Sequence, residues 1–354
     1  MVPVFREEGW HSMDLCAEML VNHCPPEFKL ETLVPKFRKT FGWIPGQKAK
    51  NLDRWYNRWR VFPYFLEKNV YKFTAFHIVD HSYSHLVHHL PEGRAGIYCH
   101  DLDAFECVLN PKKSNRPTWY RKMMARVFDG FKKAKFVFCN SNYTVQQVKN
   151  LGIWDPTDII YAPLGVAPEF SQSGESEPGD FLLHVGSCIP RKRVDILLKV
   201  FSEISKVFPD LNLIQAGGVF TKSQNDLINS LGIGRKVFQK QGLSRKQLAK
   251  LYRGAKCLLL PSEAEGFGIP LIEAMSCGCP ILCSDIPVLQ EVGGSFGNYC
   301  PVNDVTKWVQ GFQKIVSKKI DDESSSKIAQ HLQKYSWKNH SLCIFNVYKC
   351  KFGV

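Results

Sequence analysis

Glu265 and Glu273 stand eight positions apart in PSEAEGFGIPLIEAMSCG, residues 261–278, and Gly266, Phe267, Gly268 and Ile269 follow the first of them. Pro270 suits the first turn of a helix and Gly278 suits its stop. The spacing therefore predicts a helix whose N-terminus opens just after the glycines. Unpaired N–H groups and the helix dipole make such a terminus an anion site. Glycines at 266 and 268 let a ligand approach the backbone closely. Carboxylates beside an anion are unfavourable unless they hold hydroxyl groups. A diphosphate flanked by a ribose and a second sugar meets all of these demands. Taken alone, the two glutamates read as solvated helix-end charges; the glycines and the proline favour the ligand.

Other residues could join this chemistry. Arg191 and Lys192 follow the apolar run FLLHVG, which ends in Gly186 and is followed by Ser187. An exposed basic turn is the plain reading, since basic residues are mostly exposed. Two cations at a strand end can also stabilise a leaving diphosphate. His100, with Asp101 and Asp103 after it, closes the run AGIYC. His81, His85 and His89 are four apart and would share one face of a helix. No H-E-x-x-H pattern accompanies them, so no metal site is expected.

These residues need a scaffold. From 181 onward, apolar runs alternate with helical patterns: FLLHVG (181–186), VDILLKVFSEISKVF (194–208), LNLIQAGG (211–218), KVFQKQG, SRKQLAKLYRGA capped by Ser244, KCLLLPS and CPILCSD. Such β-α alternation predicts a parallel sheet covered on both faces, a doubly wound Rossmann-like domain. The first half carries strand candidates MVPVF, 73–80, 95–101, 134–140 and 158–165, with a long insertion near 25–70. The polar stretch SQSGESEPGD, 171–180, reads as a linker. The expected division is 1–170, linker 171–180, 181–335, and a last helix 336–354. Ligands of doubly wound domains bind beyond the C-terminal strand ends, so a cleft between two such domains is expected.

The net charge of +13 favours an acidic partner. Eleven Lys or Arg against three acids fall in 29–72, and nine against Asp129 alone in 112–135. With Trp and Tyr interleaved, such stretches suit an anionic membrane surface; no nucleic-acid module is visible. A solvated face is the plainer alternative. The 13 cysteines show no repeated spacing, and Cys277, Cys279 and Cys283 match no zinc pattern. Buried free thiols in a reducing compartment are expected. No apolar run approaches the ~18 residues of a membrane span, and MVPVFREEGW has no signal-peptide character. The expected location is cytoplasmic, with peripheral contact to the inner face of the membrane.

EGFGIPLIE, HVGSCIPRKRVDILLKVF, GLSRKQLAKLYRGAKCLLLPSEAEGFGIPLIEAMSCGCPILCSDIPVLQEVGG and YSWKNH resemble the retaining GT-B glycosyltransferases of family 4, the glycosyl transferases group 1. CHDLDAF and FVFCNSNYTVQQV carry the likeness more loosely into the first half. The resemblance implies two Rossmann-like domains and a final helix crossing back to the first. It implies a nucleotide-diphosphate sugar as donor, no cofactor and no metal. Glu265 would bind the transferred sugar, and backbone groups of Gly266, Phe267, Gly268 and Ile269 the diphosphate. Glu273 would hold the ribose. Arg191 and Lys192 would meet the leaving group, near Gly186 and Ser187. The segment 240–243, with Gly242, would lie near the base. His100 would contact the donor sugar at the transfer point. Gly9, His81, Asp101 and Asp103 fall to the acceptor side. The family often has an arginine after the strand glycine, where this chain has Ser187. Its glycine-rich first loop is reduced to Gly9, so that either Gly9 serves the donor phosphate alone or this loop contacts the acceptor instead. Mannose from a GDP-linked donor is the first expectation and UDP-sugars the second, with a saccharide or lipid-linked acceptor. A catalytically silent nucleotide-sugar-binding protein and a GT-B epimerase are the alternatives.

Overall fold

The computed structural model describes residues 1–317 and 322–353. It divides the chain into two compact units. One comprises Met1–Leu164 and Trp337–Val354, the other Gly165–Ser336. Each is built on one parallel sheet.

The sheet of the first unit runs in the order β1 (Phe76–Ile78), β2 (Ala95–Cys99), β3 (Phe136–Cys139), β4 (Ile159–Tyr161). β1, β2 and β3 are buried at every position, as apolar runs without alternation require. The expected strand MVPVF contracts to one bridge, Val2 to Ile78. A 3-10 turn at Arg6–Glu8 then ends at Gly9, whose φ of 72° reverses the chain. The insertion is largely helical: Gln47–Tyr56 runs through a π-helical turn, Asn57–Val61, into Phe62–Asn69. His85 Nε2 donates to the Arg58 carbonyl inside that turn at 3.0 Å. Asp53 accepts from Thr40 and Phe41 N–H, and Asn57 bonds both backbone groups of Arg38, which orders the irregular stretch before the helix.

His81–His89 forms a 3-10 helix. With three residues per turn, the histidines spaced by four do not share a face. This element packs between the insertion and the helix Thr118–Lys132: His88 Nε2 donates to Arg126 O at 3.2 Å, and a Cβ on Gly130 would meet Ser84 O at 2.1 Å. The final helix, Trp337–Phe352, belongs to this unit. Tyr348 OH donates to Phe76 O at 2.8 Å, and His340 Nδ1 to Pro163 O at 3.0 Å. Gly96 permits that docking, because a Cβ there would lie 2.5 Å from the Tyr348 hydroxyl.

The second unit orders its strands β10-β9-β8-β5-β6-β7: β5 (Phe181–Gly186), β6 (Asn212–Gly217), β7 (Val237–Lys240), β8 (Cys257–Leu260), β9 (Ile281–Ser284), β10 (Asn298–Cys300). The chain winds outward from β5 to β7, then returns to lay β8 against the other side of β5. That reversal is the topological switch point of a doubly wound sheet, where ligands bind. The helix Val194–Val207 buries Leu197, Leu198, Phe201 and Ile204 at helical spacing. Residues 171–180, expected as a linker, lie inside this unit. Glu177 N–H bonds Lys250 O, and Arg253 Nε bonds Glu175 O, so the stretch is tied along the helix Arg245–Gly254. The unit's entry and exit are joined by Val166 N–H to Tyr335 O at 3.0 Å. All thirteen cysteines are free, and Cys277, Cys279 and Cys283 are buried.

Candidate functional site

The loops after β5 and β8 meet at the switch point. After β5 the chain makes a 3-10 turn, Pro190–Lys192, and then places Arg193 at φ 47°. Arg193 is the one non-glycine residue with positive φ among the described residues, a conformation that costs about 1–2 kcal/mol. It starts the helix Val194–Val207 and turns Arg191 and Lys192 toward the β8 loop. Lys192 Nζ lies 2.5 Å from Glu265 Oε1, which also accepts from Ser262 Oγ at 2.6 Å. Arg191 Nη1 is 3.6 Å from Glu265 Oε2 and donates to Ala264 O at 2.9 Å. The Lys192 and Glu265 side chains are only 10% and 6% exposed, so this is a buried ion pair. Burial alone would raise the Glu265 carboxyl. The Lys192 charge and hydrogen bond, with Ser262 and Arg191, outweigh it and hold the carboxyl below its usual range.

The β5 and β6 ends touch backbone to backbone. A Cβ on Gly217, φ 119°, would sit 2.8 Å from Gly186 O, and one on Gly218 2.4 Å from Cys188 N. Buried Gln215 donates to Gly186 O at 2.8 Å, which fixes the strand end before exposed Ser187. Beneath it, His184 Nδ1 donates to Leu259 O at 2.9 Å. Burial drives its pKa down to about 4, so it is neutral beside Lys192.

The helix predicted after the glycines is Ile269–Ser276. Gly268 caps it in the left-handed conformation, φ 91°, and a Cβ there would lie 2.7 Å from Leu289 Cδ2. Gly266 is not among the glycines with positive φ. Phe267 is buried against the Tyr335 ring, centroids 5.6 Å apart, so its side chain is core. Glu273 is buried and accepts from Tyr252 OH at 2.9 Å. Burial pushes its pKa up to about 8, against the pull of Tyr252 and Arg245. The two glutamates thus differ: Glu265 is ionised and Glu273 holds its proton at neutral pH. Gly242, φ 63°, turns the chain after β7 with no atom within 4 Å of a would-be Cβ.

The first unit gathers its own group at the ends of β1 and β2. His100 is buried, and its Nε2 donates to Val79 O at 3.0 Å while its backbone N–H donates to His81 Nδ1 at 3.3 Å. Burial lowers the His100 pKa, and Asp80 pulls the other way. His81 Nε2 is 3.8 Å from Asp101 Oδ1, which accepts from Asp103 N–H at 3.1 Å. Glu8, just before Gly9, accepts from Tyr83 OH at 2.8 Å. Among the described residues, no group of three or more His, Cys, Asp or Glu is placed to hold a metal ion.

The sequence reading missed Ser262, Tyr252, His184 and Asp80. Ser262 had a signal, since it stands three residues before Glu265 as a local hydroxyl would. Tyr252 falls at an apolar position of an amphipathic helix, where its hydroxyl contact depends on tertiary packing.

Residues 167–335 match the family described as Glycosyl transferases group 1. This segment is a glycosyl transferases group 1 domain. The chain is 26% identical to O-antigen chain mannosyltransferase B of Escherichia coli over 72% of its own length and 70% of that protein's. To O-antigen chain mannosyltransferase RfbU of Salmonella typhimurium it is 30% identical over 53% of its length, spanning about half, 51%, of that relative. The sucrose-phosphate synthase of Thermosynechococcus elongatus superposes with a TM-score of 0.70 at 18% identity, covering 97% of this chain and 93% of that one. The GT-B fold is thereby shown, with Rossmann-like parallel-sheet domains. The Lys192, Glu265 and Gly268 cluster lies wholly within the group 1 domain.

Proposed function

We propose that this glycosyltransferase moves a hexose, mannose first among candidates, from a nucleoside-diphosphate donor to a saccharide or lipid-linked acceptor, with retention and without a metal. The observation that carries the reading is the pairing of Lys192 and Arg191 with Glu265 at the switch point, beside the N-terminus of the helix capped by Gly268. Lys192, Arg191 and the helix N–H groups meet the charge that develops on the leaving diphosphate. Glu265 accepts from hydroxyls of the transferred sugar. Glu273 and Tyr252 take the ribose, with the turn at Gly242 near the base.

In the transfer step the acceptor oxygen bonds to the anomeric carbon as the bond to the phosphate oxygen breaks. The acceptor's proton passes to that phosphate oxygen. Glu265 is held by a lysine, an arginine and a serine, which makes it a poor nucleophile and supports reaction on one face of the sugar. In the first unit, His100 contacts the sugar at the transfer point, while Gly9, His81, Asp101 and Asp103 orient the acceptor. O-antigen mannosyltransferases among the relatives support mannose and a growing polysaccharide. No helix among the described residues is long and apolar enough to cross a membrane. Exposed Trp43, Trp55, Tyr71 and Trp119 in the two basic stretches support docking on an anionic membrane face from the cytoplasm.

The test is thermal shift with GDP, UDP and ADP, followed by donor hydrolysis with the matching sugars and NMR of the product's anomeric configuration. One nucleotide should stabilise the protein, and the linkage should retain the donor's configuration. No stabilisation by any nucleotide overturns the assignment. Glu273→Ala should weaken nucleotide binding; His100→Ala should spare binding and abolish transfer.

A further inference from the structure

The Lys192–Glu265 pair has a consequence for which ligand the site prefers. Both side chains are nearly buried, their charged atoms are 2.5 Å apart, and Ser262 and Arg191 complete the shell of the carboxylate. Lys192 is thus already satisfied by a partner inside the protein. An anionic leaving group that recruits Lys192 must draw it from Glu265 or share its three N–H donors with that carboxylate. A buried carboxylate that loses its cation is costly unless something replaces the lost hydrogen bond.

We propose that Glu265 competes with the diphosphate for Lys192, and that this competition makes the site discriminate the sugar-bearing donor from the nucleoside diphosphate left after transfer. The inference rests on the donor-site reading above. The donor supplies both halves of the exchange: its diphosphate takes the ammonium, and its sugar hydroxyls donate to the freed carboxylate. The nucleoside diphosphate supplies only the first half. It leaves Glu265 buried with fewer donors, or must share Lys192 with it. Glu265 is therefore a specificity-determining residue that disfavours the product, beyond any contact it makes with the sugar. Arg191, at 3.6 Å, softens the loss without cancelling it.

The test is isothermal titration of the full chain with GDP, UDP and ADP, then with the sugar donor of whichever nucleotide binds. Glu265→Gln keeps the size and removes the negative charge that holds Lys192. Its nucleoside-diphosphate affinity should rise about tenfold, equivalent to about 1.4 kcal/mol, while its affinity for the sugar donor stays level or falls. In a Lys192→Met background the same Glu265→Gln change should give no gain. Circular dichroism and melting temperature establish that each variant folds. Unchanged or weaker nucleoside-diphosphate binding by folded Glu265→Gln overturns the proposal. So does a gain that persists without Lys192, because it would report general repulsion between two anions. Failure of the wild-type chain to bind any of the three nucleotides overturns the donor-site reading itself and the proposal with it.

Discussion

Two glutamates eight residues apart occupy opposite electrostatic worlds. Glu265 gains a lysine, an arginine and a serine and stays charged, whereas Glu273 is buried on a helix face, which outweighs the pull of its tyrosine, and stays protonated. The consequence is a pH dependence of opposite sign. The Glu273 pKa rises from 4.5 to about 8 on folding, so between those values the folded chain binds a proton that the unfolded chain lacks. Stability from this group is full below the lower value and is lost as the pH rises through about 8. Glu273→Gln should remove that loss: between about pH 5.5 and 8.5 its melting temperature should fall less than that of the wild type. The Glu265 contribution runs the other way, present above the ordinary carboxylate range and lost on acidification. The sequence made both residues visible as ligand candidates through the neighbouring glycines. It could not separate their charge states, which depend on Lys192, 73 positions before Glu265, and on Tyr252, 21 before Glu273.

At the scale of elements, the parallel-sheet domain was legible because the central strands β5, β6, β8 and β9 are largely apolar runs between helical patterns. What escaped was geometry set by contacts between elements. The histidines at 81, 85 and 89 carry an α-helical spacing, yet the segment winds as a 3-10 helix because it is wedged between the insertion and the helix Thr118–Lys132. The stretch 171–180 has linker composition but spends its backbone groups on the helix Arg245–Gly254. The glycine turns can be ranked by the same physics. Gly242→Ala and Gly268→Ala both pay the left-handed backbone penalty of about 1–2 kcal/mol. Gly268→Ala also drives a methyl against Leu289 and displaces the helix N-terminus. Urea unfolding should show the larger loss for Gly268→Ala, and nucleotide affinity should fall with it. Gly242→Ala should destabilise by the backbone penalty alone.

At the scale of the whole molecule, the chain leaves the first unit at Leu164 and returns to it at Trp337. Gly165–Ser336 is in effect a domain inserted into another, with its two ends held by Val166 and Tyr335. A fragment of residues 165–336 should unfold cooperatively in urea on its own. A chain ending at Ser336 should keep that transition and lose the one belonging to the first unit, since Tyr348 no longer caps the sheet at Phe76. This arrangement also dictates a schedule for the nascent chain. The ribosome makes residues 1–164 before the helix that covers their sheet exists. The second unit is complete, and free to fold, while the first still exposes the apolar face around Phe136 and Gly96 that Trp337–Phe352 will cover. At least two hundred positions of synthesis, from Phe136 to Trp337, separate that face from its cover, so the first unit is begun before the second and finished after it.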